Sequence, residues 1–262
     1  MISSGDFVEL RARGAVGWVL RELAPLGLDA FWQPLAPLPQ AKGRGGVGLL
    51  TLGGRELVVR PYRRGGALGA LRRDRYASAA RARAELQVLD ALRYEGVPVV
   101  MPIAAVARRS GAFWRLRLCT ERLPDALPAP AFLAAQPAHR RAAATAIGTV
   151  VQLAFAAGLL HPDLHPDNVL CCLRGDRVRA VLVDLDRARL QRPLRPADRT
   201  AMLARMQRYV VRHAGKLAAV PTRAETMRFL RALVADRAAR HAVFREVAVR
   251  LQRDLRRRLP RR

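Results

Sequence analysis

Ten consecutive residues constrain this chain more than any other stretch: His161-Pro-Asp163-Leu-His165-Pro-Asp-Asn168-Val-Leu170. Two short apolar runs follow, Val169 to Leu173 and Val178 to Val183, around Arg174-Gly175-Asp176. Their length and the glycine between them predict a strand hairpin. A polar loop therefore enters the hairpin, and Val183-Asp184-Leu185-Asp186 leaves it. Aspartate, asparagine and proline are also common in turns for local backbone reasons, but turn chemistry gives no reason for a carboxylate at the hairpin's far end. Phosphoryl transfer does. One carboxylate accepts the proton of an acceptor hydroxyl, while hard oxygen donors hold magnesium across the phosphates. The spacing assigns Asp163 as the base and Asn168 with Asp184 as the magnesium donors.

Residues 1–40 are expected to form an irregular amino-terminal extension, because Pro34, Pro37 and Pro39 break any helix or central strand. Lys42-Gly43-Arg44-Gly45-Gly46-Val47-Gly48 then leads into Leu49 to Leu52, a Gly53-Gly54 turn and Glu56 to Arg60. Paired glycines between apolar runs predict a hairpin, since both central turn positions need positive φ. Dinucleotide fingerprints and Walker loops place their glycines before a helix, so neither fits. Leu86, Leu89 and Leu92 give residues 78–94 a helical period, and a second hairpin is expected around Ser110-Gly111. Beyond Pro130 the texture changes: Ile147, Val150, Val151, Ala154 and Phe155 repeat at helical spacing up to Gly158, which suits a helix end. The expected class is α+β, with the extension at 1–40, a β-rich lobe at 41–123 and a helix-rich lobe at 124–262.

With 262 residues, 51% of them hydrophobic, the chain can bury one core or two small lobes, which excludes a long disordered protein. Its net charge of +26 is almost all arginine, spread through every segment rather than gathered in one stripe. That favours an anionic partner such as a phosphorylated sugar, a nucleotide or a membrane face, and nucleic acid is not expected. Cys119, Cys171 and Cys172 make neither an even framework nor a C-x-x-C pair, which fits a reducing cytoplasm. Adjacent Cys171 and Cys172 point to opposite faces of a predicted strand and read as core residues. No signal peptide and no membrane span is expected.

Taken together these blocks resemble the lipopolysaccharide kinase family, and within it the kinases of 3-deoxy-D-manno-octulosonic acid (Kdo). The resemblance covers about residues 42 to 190. It rests on the glycine cluster, Leu57-Val-Val-Arg60-Pro-Tyr62-Arg-Arg-Gly-Gly66, Arg73-Asp-Arg-Tyr76, Glu85, Val97-Pro98, Thr120-Glu121-Arg122, the catalytic loop and Val183-Asp184-Leu185-Asp186-Arg187. It implies a two-lobed protein-kinase-like fold using ATP and Mg2+. It also implies that Gly43, Gly45, Gly46 and Gly48 arch over the phosphates, that Glu85 lies on the helix pairing with the phosphate-binding cation, and that Glu121 lies near the hinge. The implied acceptor is a hydroxyl of Kdo in Kdo-lipid A, met by a peripheral enzyme on the cytoplasmic face of the inner membrane. Arg63, Arg64, Arg72, Arg73 and Arg75 suit contact with anionic lipid or sugar.

The chain departs from protein kinases in three places. Arg60 replaces the strand lysine, with a bulkier fork that can still pair with phosphate and Glu85. His165 stands where protein kinases carry a catalytic-loop lysine, so contact to the γ-phosphate needs a protonated histidine or a substitute arginine. Asp186 replaces the glycine of Asp-Phe-Gly. His161 reads as a brace for the loop, because Asp163 already supplies the base. Other acceptors of the same chemistry, such as a heptose, a small molecule or a protein, remain alternatives. So does a pseudokinase that binds anionic lipid without turnover.

Overall fold

Apolar residues on both sides of Arg13-Gly14 build the first hairpin, β1 (Phe7–Ala12) and β2 (Ala15–Leu20), with Gly14 at φ 73°. The expectation of an irregular extension at 1–40 is thereby corrected. The prolines that suggested it lie beyond the hairpin, and β2 enters the sheet beside a later strand. The computed structural model describes residues 6–38, 46–63 and 74–256. The chain divides into two units: Met1–Tyr94 with Val100–Leu123, and Glu95–Val99 with Pro124–Arg262.

The first unit continues with β3 (Ala36–Pro37), β4 (Gly48–Leu52), β5 (Arg55–Pro61), α1 (Ala80–Tyr94), β6 (Pro102–Ser110) and β7 (Phe113–Glu121). They form one antiparallel sheet in the order β1-β2-β6-β7-β5-β4-β3. Leu86, Leu89 and Leu92 carry the buried face of α1, which packs on β6 and β7. Ile103 through Ala107 are all buried, so β6 is covered on both faces. The 3-10 turn Arg21–Leu26 packs on β1 and β2 and buries Leu23, and a second one, Asp29–Trp32, buries Phe31. A Cβ on Gly17 would stand 2.6 Å from the Leu28 side chain, so β2 is glycine where the turn crosses it.

The second unit contains β8 (Leu127–Pro128), α2 (Ala129–Ala135), α3 (Arg140–Ala156), β9 (Leu159–Leu160), β10 (Val169–Arg174), β11 (Arg177–Leu182), β12 (Arg189–Leu190), α4 (Pro196–His213), α5 (Arg223–Leu233) and α6 (Arg237–Arg256). The β10–β11 hairpin lies on α3, and α3 packs on α5. At Gly148 a Cβ would meet the Phe229 carbonyl oxygen at 2.4 Å, so the two helices need glycine at their crossing. Arg140 on α3 donates to both oxygens of Glu225 on α5 at 2.6 and 2.9 Å, and Thr222 with Glu225 closes a capping box at the start of α5. These bonds hold the Glu225 carboxyl far below its usual range, at about 2. Cys119, Cys171 and Cys172 are free thiols, all buried.

Candidate active site

In the sheet unit, Arg60 lies on β5, paired with Leu118 of β7, and Glu85 lies on the buried face of α1. The Arg60 guanidinium donates to both Glu85 oxygens, at 2.6 and 2.5 Å. The Tyr62 hydroxyl donates to the same carboxylate at 2.5 Å, and its ring lies 4.6 Å under the guanidinium. The Glu85 side chain is 1% exposed and that of Arg60 23% exposed, so a charged fork reaches the surface from a fully buried anchor. A buried carboxylate is tolerable only when its lone pairs are filled. The two expected partners thus meet, and Tyr62 joins them; its sequence signal was the Pro61-Tyr62 step directly after Arg60.

The glycine cluster divides. Gly43 and Gly45 lie outside the described residues, as do Arg64, Arg72 and Arg73. Gly46 has φ 61°, and a Cβ there would stand 2.8 Å from the Arg63 guanidinium. Gly48 is buried in β4, where a Cβ would stand 2.7 Å from the Ala36 carbonyl oxygen. Packing against β3 is therefore reason enough for glycine at 48. Glu121 ends β7 with its carboxylate on Arg55 at 3.0 Å, and its N–H donates to the Met101 carbonyl.

In the helical unit the polar loop is organised by one imidazole. His161 is 2% exposed; its Nε2 lies 3.0 Å from the Asp184 carbonyl oxygen, and its Nδ1 accepts from the Asp163 N–H at 3.1 Å. A carbonyl only accepts, so the proton sits on Nε2. Burial pushes the His161 pKa down, which preserves that neutral tautomer. One side chain thereby fixes the backbone of both Asp163 and Asp184, in the bracing role expected of it.

Asn168 is tied into the same frame. Its Oδ1 accepts from the His165 N–H at 3.1 Å, and its own carbonyl accepts from the Val183 N–H at 2.9 Å. With Val169 opposite Leu182 in the hairpin, Asn168 and Asp184 emerge at the same end of β10 and β11. Asp184 is held at φ 55°, in the left-handed region that aspartate tolerates better than most residues. Leu185 behind it is completely buried.

These donors fit magnesium. Asn168 Oδ1 has spent one of its two lone pairs on His165, which leaves one. Magnesium keeps several waters and commonly takes only one or two carboxylates from protein. The described residues hold no cluster of three histidine, cysteine, aspartate or glutamate side chains of the kind a dedicated metal cage uses.

Helix α4 runs along the loop and supplies residues the sequence reading did not single out. The His161 N–H points at the Met202 sulfur, 3.3 Å away. Tyr209 donates its hydroxyl to Asp167 at 2.5 Å, and its ring stacks on that of His165 at 4.4 Å and on that of His213 at 4.2 Å. Burial pushes the His165 pKa down, so the residue at the lysine position of protein kinases is a neutral, stacked ring. Behind the loop, an apolar cavity of about 260 Å3 is walled by Pro166, Leu203, Met206, Val210, Phe229 and Phe244. No helix among the described residues is long and apolar enough to cross a membrane.

Two solved structures share the fold. The chain superposes on WaaP in complex with acyl carrier protein at a TM-score of 0.55 and 21% identity, covering 84% of this chain and 91% of that one. An aminoglycoside-3'-phosphotransferase of type VIII gives 0.51 and 20%, covering 82% and 92%. The α+β, protein-kinase-like class read from the sequence is thus the observed one. The 3-deoxy-D-manno-octulosonic acid kinase of Vibrio parahaemolyticus is 32% identical over 166 residues, 62% of this chain and 68% of that protein. The enzyme of the same description from Xanthomonas oryzae pv. oryzae is 32% identical over 193 residues, 71% and 76%. The family model for lipopolysaccharide kinases matches residues 29–233, and the chain belongs to the lipopolysaccharide kinase (Kdo/WaaP) family.

Proposed function

We propose that this protein is a Kdo kinase that transfers the γ-phosphoryl group of ATP to a hydroxyl of Kdo in Kdo-lipid A during inner-core lipopolysaccharide synthesis. The observation that carries the reading is the loop in which His161 fixes Asp163 and Asp184 together while Asn168 is tied to the same hairpin end. Asp163 takes the acceptor proton as the acceptor oxygen bonds to the γ-phosphorus. The bond from that phosphorus to the bridging oxygen breaks, and its electron pair leaves on ADP. Asn168 and Asp184 would hold Mg2+, which would supply charge neutralisation to the phosphates. Arg60, kept in place by Glu85 and Tyr62, binds phosphate oxygens, with Gly43, Gly45, Gly46 and Gly48 as the loop over them and Glu121 near the adenine.

The apolar cavity beside Pro166 supports a lipid-linked acceptor, because a hydrocarbon chain fills such a lining without leaving a polar group unpaired. The charge of +26 supports peripheral binding at the anionic cytoplasmic face of the inner membrane. Labelled Mg-ATP offered to Kdo-lipid A, free Kdo, a heptose-bearing core and a general protein acceptor tests the assignment. Label is expected in Kdo-lipid A. Label only in heptose or protein refutes the acceptor, and ATP binding without transfer to any of the four supports a pseudokinase.

A further inference from the structure

Helix α4 tracks the catalytic loop residue by residue. Met202 meets His161 at one end and Tyr209 meets Asp167 and His165 at the other. Arg205 lies between them, one turn from Tyr209 on the same face of the helix. That register turns Arg205 toward the loop between those two contacts, and the Asp163 charge favours its cationic form.

Three features mark Arg205 as an anion binder rather than a structural ion-pair partner. Among the described residues its buried Nε has no hydrogen-bond partner and its guanidinium makes no ion pair. The Arg208 and Arg250 charges oppose its own, so the helices keep a repulsive cationic cluster. Asp254, the carboxylate able to relieve that cluster, is committed to Arg208 at 2.5 Å. Meanwhile His165, the residue at the position of the catalytic-loop lysine, is held against the Tyr209 ring with its Nδ1 buried and unpartnered. The loop thus carries no lysine or arginine of its own, and a half-buried arginine with no ion pair among the described residues stands beside it.

We propose that Arg205 is a catalytic residue which donates hydrogen bonds to the transferring γ-phosphoryl group, taking over from α4 the work a loop lysine does in protein kinases. The guanidinium meets the oxygens on which charge accumulates as the bridging bond breaks. This rests on the kinase reading above, with Asp163 as base.

The test compares Arg205→Ala, Arg205→Lys and the exposed α4 control Arg199→Ala, using Mg-ATP and Kdo-lipid A. Arg205→Ala is expected to lose about a hundredfold in kcat, with KM for ATP and acceptor within about threefold and an unchanged melting temperature. Arg205→Lys recovers part of the loss, and added guanidinium ion restores turnover to Arg205→Ala but not to Asp163→Ala. A purely structural arginine would not give that rescue. Unchanged kcat in Arg205→Ala overturns the inference, as does a raised acceptor KM with kcat intact, which would make Arg205 a reader of acceptor anions. If Arg205→Ala does not fold, a Lys variant with full kcat overturns it equally. Absence of transfer by the wild type would instead overturn the kinase reading beneath it.

Discussion

In the sheet unit, Arg60 and Glu85 meet directly as side chains, with Tyr62 completing the carboxylate's shell. In the helical unit, Asp163, Asn168 and Asp184 are placed through main-chain groups held by His161 and by the hairpin register. The difference follows from what each group must do. A phosphate-binding cation keeps its position best when a buried counter-charge anchors it. A base and metal donors must also meet substrate and metal, so the backbone behind them fixes where they stand.

Substitutions in the two units should act on different kinetic constants. Asp184→Ala is expected to have the largest effect of four: transfer falls about a hundredfold to a thousandfold, with free Mg2+ no longer changing ATP affinity in a titration. Glu85→Gln comes next, since it removes the counter-charge of Arg60. A cost of about 2 kcal/mol appears as a thirtyfold loss in kcat/KM for ATP, carried by KM. His161→Ala removes two hydrogen bonds of about 1 kcal/mol each; about 1.4 kcal/mol of that, a roughly tenfold loss, is expected in kcat with KM for ATP nearly constant. Were His161→Ala to act on KM and Glu85→Gln on kcat, the division of labour would be reversed.

The smallest effect on turnover is expected for Arg140→Met, in a charge pair that links α3 to α5 and does not touch the catalytic loop. Glu225, depressed from 4.5 to about 2, contributes stability fully present above pH 4.5 and lost as pH falls toward 2. Removing Arg140 should cost about 3 kcal/mol of stability at neutral pH and flatten the decline over that acid window. Urea unfolding at several pH values measures both. An unaltered slope would show that the pair does not set the acid response of the helical unit.

Short-range chemistry was legible in the sequence. Gly53-Gly54 gave the β4–β5 hairpin, the Leu86, Leu89 and Leu92 period gave α1, and the spacing from Asp163 through Asn168 to Asp184 gave the loop and its hairpin. Each signal lies within one element and its turns. The β1–β2 hairpin was obscured because the prolines at 34, 37 and 39 dominated the reading of the whole segment. Arg205 and Tyr209 were illegible for another reason. They are ordinary helix residues, and only the path of α4 along the loop brings Tyr209 to Asp167, 42 positions earlier, with Arg205 one turn away on the same face. Arg140 and Glu225 are a similar case at a separation of 85 residues, although Thr222-x-x-Glu225 did carry a capping-box signature.

Asp163 is the carboxylate on which transfer depends most. Transfer of labelled γ-phosphate from Mg-ATP to Kdo-lipid A should be robust in the wild type and fall about a thousandfold in Asp163→Ala, with Mg-ATP binding unchanged by calorimetry. Wild-type transfer rates in Asp163→Ala would contradict the assignment of that carboxylate as the base, and with it the organisation of the site around the His161 brace.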